Sequence, residues 1–393
     1  MEWDVVVVGA GPAGCSVAEK IAGAGFKVLI LEENKRVGEP VQCSGLVSPR
    51  TLELAGFCGG YINYLKGAFI HAPDGEVLDC RGSKTYAVAI DRAEFDRHLA
   101  EKAVGQGASL LLEARARAFS REKRGVKVEF EWQGKNCTAQ AKLLIGADGA
   151  NSTVARWAGL DPPKEKIKMF AAEVELENPL PETVDLFLGS DVAPGWFAWV
   201  IPLDKSRARI GTGSRFFKKP ILDQVKLLFA KYPERFKDMR VKKLTGGLVP
   251  IGRMRNFASN VMLVGDAACQ TKPISGGGIY LGLRGAEICA QIATAALHQE
   301  DFSLEFLSKY QAEWNRELGF EIERGLKYRQ MFLELTDSEM SNIIGILNTK
   351  FWRSLIIKKG DIDFPSILGE KLFKAPIWAN KLILSFIREI VSS

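Results

Sequence analysis

Near the N-terminus stands Gly9-Ala10-Gly11-Pro12-Ala13-Gly14, and Glu32 follows eighteen residues after Gly14. This spacing suits a pyrophosphate. Gly9 permits a tight turn, Gly11 lets the backbone approach phosphate oxygens, and Gly14 lets a helix pack close to a sheet. The helix N-terminus offers free N–H groups and the positive end of its dipole. A carboxylate at Glu32 can accept ribose hydroxyls. Further along, Gly146-Ala147-Asp148-Gly149-Ala150-Asn151-Ser152 and Gly265-Asp266-Ala267-Ala268 each follow an apolar run. An Asp at such a strand end caps a turn in most proteins, but Asp266 can also bond the ribityl chain of a flavin. Pro273-Ile274-Ser275-Gly276-Gly277-Gly278-Ile279 opens a helix. Three glycines let the backbone lie against a flat ring, and the helix dipole faces the ring edge that turns negative on reduction.

The elements that must carry these residues are legible in outline. Residues 3–8 read as a buried parallel strand, Pro12 to Ala24 as a helix, and Phe26 to Glu32 as a second strand, a βαβ unit. Residues 37–50 read as loop, 65–90 as antiparallel strands, 91–105 as an amphipathic helix, and 140–147 as another buried strand. The pattern over 165–245 is strands with turns. Residues 260–265 return to a buried strand, 277–297 to a helix, and from 300 onward the chain is mostly helical. This predicts an α/β chain. A discontinuous doubly wound domain spans 1–64, 86–164 and 245–297, and an inserted antiparallel sheet spans 65–85 and 165–244. A helical C-terminal region covers 298–393.

Composition narrows the partners. Charged residues are 25% and hydrophobic residues 47% of the 393, an ordinary globular balance that excludes disorder and collagen. The net charge of +6 is spread along the chain without a basic stripe, so no nucleic-acid partner is expected. A weak attraction to anionic membrane surfaces is left open. The seven cysteines form no CxxC pair, and with three histidines no metal site is expected. An odd, scattered set reads as reduced thiols in a cytoplasmic protein, and Met1 leads straight into a strand rather than a signal peptide. No run of 18 uncharged apolar residues spans a membrane.

Taken together, GAGPAG, Glu32, GADGANS and GDAA followed by PISGGG resemble the FAD fingerprint of the hydroxylase-like flavoprotein superfamily. The resemblance implies a Rossmann-like FAD-binding domain of the hydroxylase and glutathione-reductase type. It implies FAD rather than NAD, and no second GxGxxG in strand context marks a separate nicotinamide domain. Two segments point within that superfamily to the geranylgeranyl reductase family. Glu39-Pro40-Val41-Gln42-Cys43-Ser44-Gly45 resembles its Cys-containing loop, and Pro194-Gly195-Trp196-Phe197-Ala198-Trp199-Val200-Ile201-Pro202 its P-G-x-Y-x-W-x-F-P segment. The family's Tyr is here Phe197 and its second aromatic Ile201, which leaves a more apolar wall. Residues 197, 199 and 201 would share one strand face. Gly360-Asp361-Ile362-Asp363-Phe364-Pro365 resembles the family's late segment.

The resemblance implies FAD contacts at Ala13, Glu32, Cys43, Ser44, Leu46, Arg92, Ala116, Asp266, Gly278 and Ile279, besides Gly9, Gly11 and Gly14. Ala116 is placed by spacing alone. It also implies an isoprenoid lipid substrate, lying against Phe197 and Trp199, with Trp196, Phe187 and Phe170 as further wall or plain core. An external electron donor is required, whether ferredoxin, deazaflavin or NAD(P)H. Cys43 is the candidate working residue, as a proton donor or in a redox-sensitive disulfide with Cys269; the alternative is a small buried hydrophobe. Cys58, Cys80, Cys137 and Cys289 read as structural. Residues 373–391 read as an amphipathic helix that either rests on the inner face of the membrane or packs on the protein body. The expected reaction is saturation of geranylgeranyl C=C bonds. The alternative is an aromatic-type monooxygenase using NAD(P)H and oxygen, and a non-catalytic flavin or lipid carrier is a third reading.

Overall fold

The structure is a computed structural model in which residues 2–163, 165–215 and 221–373 are described. The expected amphipathic helix over 373–391 lies, beyond its first residue, outside the described residues.

The strand Glu2–Val8 is the centre of an eight-stranded sheet. It pairs in parallel with Val28–Leu31 on one side and Lys135–Gly146 on the other. Val5 and Val7 face a core built with the helices Pro12–Gly23, Arg92–Gly105 and Ile279–Gln299. Val6 and Val8 face a second core under the hairpin Ala114–Glu122 and Gly125–Trp132. An unbroken valine run is what two covered faces require. The sequence reading assigned nothing to that hairpin, although its residues alternate.

A seven-stranded sheet stands beside it, containing Glu165–Glu175, Thr183–Phe187, Ala198–Pro202, Arg207–Ser214 and Arg240–Ile251. Gly67–His71 and Val77–Asp79 complete it. This sheet is not purely antiparallel as expected, because Thr183–Phe187 pairs in parallel with Gly67–His71. The two pieces of the insert meet there with the same chain direction. The edge expected at 245 falls inside a strand, since Arg240–Ile251 stays paired with Glu165–Glu175 from one end to the other. A small sheet of Leu46–Val47, Tyr61–Leu65 and Ala87–Ile90 adds three strands.

The strand Ala198–Pro202 shows how the sheet sorts side chains. Ala198 and Val200 enter one core, whereas Trp199 and Ile201, with Phe197 just before the strand, enter another. That is the period of two that the sequence implied. The C-terminal helices Leu304–Glu334, Asp337–Leu347, Lys350–Lys359 and Pro365–Phe373 close the molecule. Among the described residues no helix is long and apolar enough to cross a membrane.

Candidate functional site

The glycine motif forms a cradle at the end of the first strand. Gly9 has φ +102°, and a Cβ on it would collide with the Ala147 carbonyl. A Cβ on Gly14 would collide with the Gly9 carbonyl. At Gly11 a Cβ would meet nothing within 4 Å, so open space lies where a ligand's phosphate could approach. Gly11 caps the helix Pro12–Gly23 without a side-chain bond, leaving the first amides free of side-chain competition. Ala13 supports Gly265: a Cβ there would come 2.9 Å from the Ala13 Cβ. Glu32 accepts from Ala10 N–H at 2.8 Å and from the Asn34 backbone N–H at 2.9 Å, so its carboxylate is fixed at the cradle's edge. Ala114 N–H donates to the Glu32 carbonyl at 2.8 Å, and Ala116 follows two residues on. Asp148 is a cap: it accepts from Ser152 Oγ and from Thr153 and Val154 N–H, and so fixes the turn that abuts Gly9.

The second half of the cradle is the turn 275–279. Gly278 caps the helix Ile279–Gln299, again with no side-chain bond. A Cβ on Gly278 would lie 2.8 Å from Asp266 Oδ1. Burial pushes the Asp266 carboxyl up to about 6, while Arg92 pulls it back. Arg92 donates to both Asp96 oxygens, at 3.1 and 3.0 Å, and bonds Cys43. Burial opposes its charge, but Asp96 and Cys43 outweigh that and raise its pKa. Cys43 Sγ accepts from Gly45 N–H at 3.4 Å. Arg209 Nη1 donates to the Ser44 and Ile90 carbonyls, both at 2.9 Å, and pins the loop against the small sheet.

Next to this turn lies a cavity of about 430 Å³. Cys43, Ser44, Leu46, Phe197, Trp199, Gly278 and Ile279 all line it. Leu65, Val184, Leu186 and Ile201 extend the hydrocarbon side of its wall, while Ser48, Thr51, Thr245, Lys272 and Asp363 stand elsewhere in the lining. Of the five aromatics considered for the slot, Phe197 and Trp199 reach it. Phe187 stacks on His71 in another core, Phe170 packs there too, and Trp196 is buried under Arg329. Trp196 sits in the bend before the strand Ala198–Pro202, stacked on Phe197 with ring centroids 5.1 Å apart, in a separate core with Ile167 and Ile251. Trp196 still matters, because a Cβ on Gly276 would lie 3.0 Å from its Cζ2, so it backs the glycine turn.

Cys43 and Cys269 are both free thiols, so the disulfide is not formed. Cys269 donates to the Gly252 carbonyl at 3.4 Å, and burial pushes its pKa up to about 12. Cys58 is exposed rather than structural. Sequence reading missed a polar cluster at the far wall. Lys272 donates to the Ile362 carbonyl at 2.7 Å, and Ser48 Oγ donates to Asp363 Oδ2 at 2.5 Å. Arg50 Nη1 reaches the same oxygen at 3.4 Å. A lysine directly before the proline of the glycine turn was the available signal.

The residues present fit a dinucleotide flavin. Two helix N-termini without side-chain caps converge on one site, a Gly11 cradle stands open, and the Ser275 hydroxyl is buried without a partner among the described residues. Comparison with known proteins agrees. The family described as FAD binding domain matches residues 2–316. An uncharacterised protein of Methanocaldococcus jannaschii is 32% identical over 380 residues, 95% of each chain. The digeranylgeranylglycerophospholipid reductase of Methanothrix thermoacetophila is 32% identical over 355 residues, covering 88% of this chain and 91% of the relative. In fold, a geranylgeranyl bacteriochlorophyll reductase-like protein of Thermoplasma acidophilum superposes with a TM-score of 0.88 at 24% identity, over 98% of this chain and 99% of that one. FAD is therefore the cofactor, and the chain belongs to the FAD binding domain family, among the relatives of the digeranylgeranylglycerophospholipid reductases.

Proposed function

We propose that this protein saturates C=C bonds in the geranylgeranyl chains of a glycerophospholipid. The observation that carries this reading is the hydrocarbon-walled cavity that starts at the glycine turn and runs past Phe197 and Trp199. Bound FAD supplies a hydride. The residues do the rest. Gly9, Gly11, Ala13, Gly14, Glu32, Arg92, Ala116, Asp266, Gly278 and Ile279 hold the cofactor. Phe197, Trp199 and Ile201 hold the chain and exclude water. Phe197 and Ile201 keep this wall free of hydroxyl groups, which suits a substrate with no polar atom along its length.

An isolated trisubstituted alkene has no carbonyl to polarise it. A proton must arrive before or with the hydride, so that positive charge develops on the tertiary carbon that receives the hydride. Cys43 lines the cavity and carries such a proton; its thiol is held by Gly45 and Arg92. Electrons come from an external donor, and ferredoxin, deazaflavin and NAD(P)H are to be compared directly.

Contact with an anionic membrane surface is part of the proposal. Arg240, Lys243, Val241 and Leu244 are exposed on one end of an edge strand whose continuation, Thr245 to Val249, lines the cavity.

The test is anaerobic. The protein is reduced with dithionite, a geranylgeranylated glycerophospholipid is added, and flavin spectrum and lipid mass are followed. Flavin reoxidation with mass gains in steps of two hydrogens is expected. A spectrum that is silent until oxygen is admitted would favour the monooxygenase instead.

A further inference from the structure

Lys272 is a charged side chain in the wall of a hydrocarbon cavity, and only 5% of it is exposed. Its ammonium donates to the Ile362 carbonyl at 2.7 Å and lies 3.5 Å from Asp363 Oδ1. The stem runs directly beneath the glycine turn. A Cβ on Gly277 would lie 2.7 Å from Lys272 Cε and 2.9 Å from Nζ. The backbone closes over the same residue: Gly276 N–H donates to the Lys272 carbonyl at 2.8 Å, and Lys272 N–H to the Gly277 carbonyl at 3.2 Å.

Burying an ammonium is unfavourable, and a hydrogen bond to one carbonyl does not require a charge. The pairing with Asp363 is also not one to one. Asp363 is 2% exposed and shares its charge with Ser48 Oγ at 2.5 Å and Arg50 Nη1 at 3.4 Å. Asp361 and Asp363 face the lysine from the late segment, and Glu321 from the helix Leu304–Glu334. Burial raises the Glu321 pKa, which favours its neutral form, and Ser366 donates to both of its oxygens. Burial also lowers the Lys272 pKa, with Asp363 opposing. Across the turn, beside Gly278, stands Asp266. The two neighbouring glycines therefore have opposite charges behind them.

We propose that Lys272 poises the flavin: its ammonium, held behind Gly277 by Ile362 and Asp363, stabilises the negative charge that the ring acquires on reduction. The electrostatic reason is that a fixed charge in a water-poor wall acts far more strongly than one in solvent. The helix N-terminus at Gly278 contributes in the same sense, and the Asp266 carboxyl behind Gly278, when ionised, opposes both. This inference rests on the placement of FAD against the turn 275–279. Its consequence is that the bound cofactor accepts electrons more readily than the glycine cradle alone would allow.

The test is the two-electron reduction midpoint of bound FAD in wild type, Lys272→Gln, Lys272→Met and Lys272→Arg, with the FAD dissociation constant measured alongside. Gln keeps a donor for the Ile362 carbonyl and loses the charge; Arg keeps both. Gln and Met are expected to disfavour reduction at least tenfold, about 30 mV for a two-electron couple, and Arg to stay within threefold of wild type. A structural tie would be rescued by Gln as well as by Arg, so a Gln variant with an unshifted midpoint overturns the proposal, even should the Met variant not fold. The placement of FAD is checked separately by Ile279→Trp, at the cavity-lining end of this turn and not on the Lys272 side of Gly277. If that variant binds FAD with unchanged affinity, the cofactor does not lie on this turn and the underlying reading fails first.

Discussion

Burial lifts the Asp266 carboxyl from its ordinary 3.8 to about 6, against the pull of Arg92. The folded protein thus holds a proton across a window in which the unfolded chain has released it. The stability this group contributes is complete below pH 3.8 and is lost as pH climbs to about 6. In the FAD-free protein, the melting temperature is expected to decline across that window. Asp266→Asn is expected to flatten the decline; an equally steep profile in the variant would refute the assignment. Cys43 is tested at the same scale. Cys43→Ala is expected to retain FAD and to slow lipid-dependent flavin reoxidation by about a hundredfold, the usual range for losing a general acid. Full turnover would return Cys43 to a packing role.

Between the FAD cradle and the cavity, one short loop does most of the joining. Cys43, Ser44 and Leu46 line the cavity beside the glycine turn, Cys43 bonds Arg92, and Arg209 holds the loop from the neighbouring sheet through the Ser44 and Ile90 carbonyls. Arg209→Met leaves those carbonyls without their donor, at about 1–3 kcal/mol for a buried group. The expected result is a loss of about 2 kcal/mol in stability and faster amide exchange over 43–47. Unchanged exchange there would mean that the loop is held by something else. This scale also shows where sequence reading reached its limit. Gly9, Gly14 and the turn 275–279 were legible because backbone geometry demands their residue types locally. The shared face of 197, 199 and 201 was legible because a strand alternates. That Trp196, Phe187 and Phe170 stay out of the cavity was not, because that depends on how sheets and helices dock. Nothing local paired Lys272 with Asp363, or Arg209 with the Cys43 loop, since each partner lies on a different element.

For the molecule as a whole, shape bears on the path of the substrate. Val241 and Leu244 are 52% and 60% exposed, next to Arg240, Lys242 and Lys243, although Lys242 is paired with Glu175. A basic residue near an anionic bilayer gains about 1 kcal/mol. Sedimentation with anionic vesicles is expected to carry the protein down, neutral vesicles to carry less, and Val241→Asp with Leu244→Asp to weaken the binding severalfold. Wild-type protein that stays in the supernatant with both vesicle types would remove the membrane from the account. The late segment enters at this scale too. Ser48 and Asp363 are separated by 315 residues, yet their bond closes one wall of the cavity.

That bond sets an order of assembly. During synthesis from the N-terminus, both glycine motifs are made before residue 360 exists, so a flavin cradle can form on a chain whose hydrocarbon slot still lacks a side. The slot is sealed late, by a segment whose Ile362 and Asp363 also hold Lys272 beneath the glycine turn. A chain released short of Gly360 would lack that wall and the partners of Ser48, Lys272 and Glu321, so the late segment couples the lipid slot to the flavin turn.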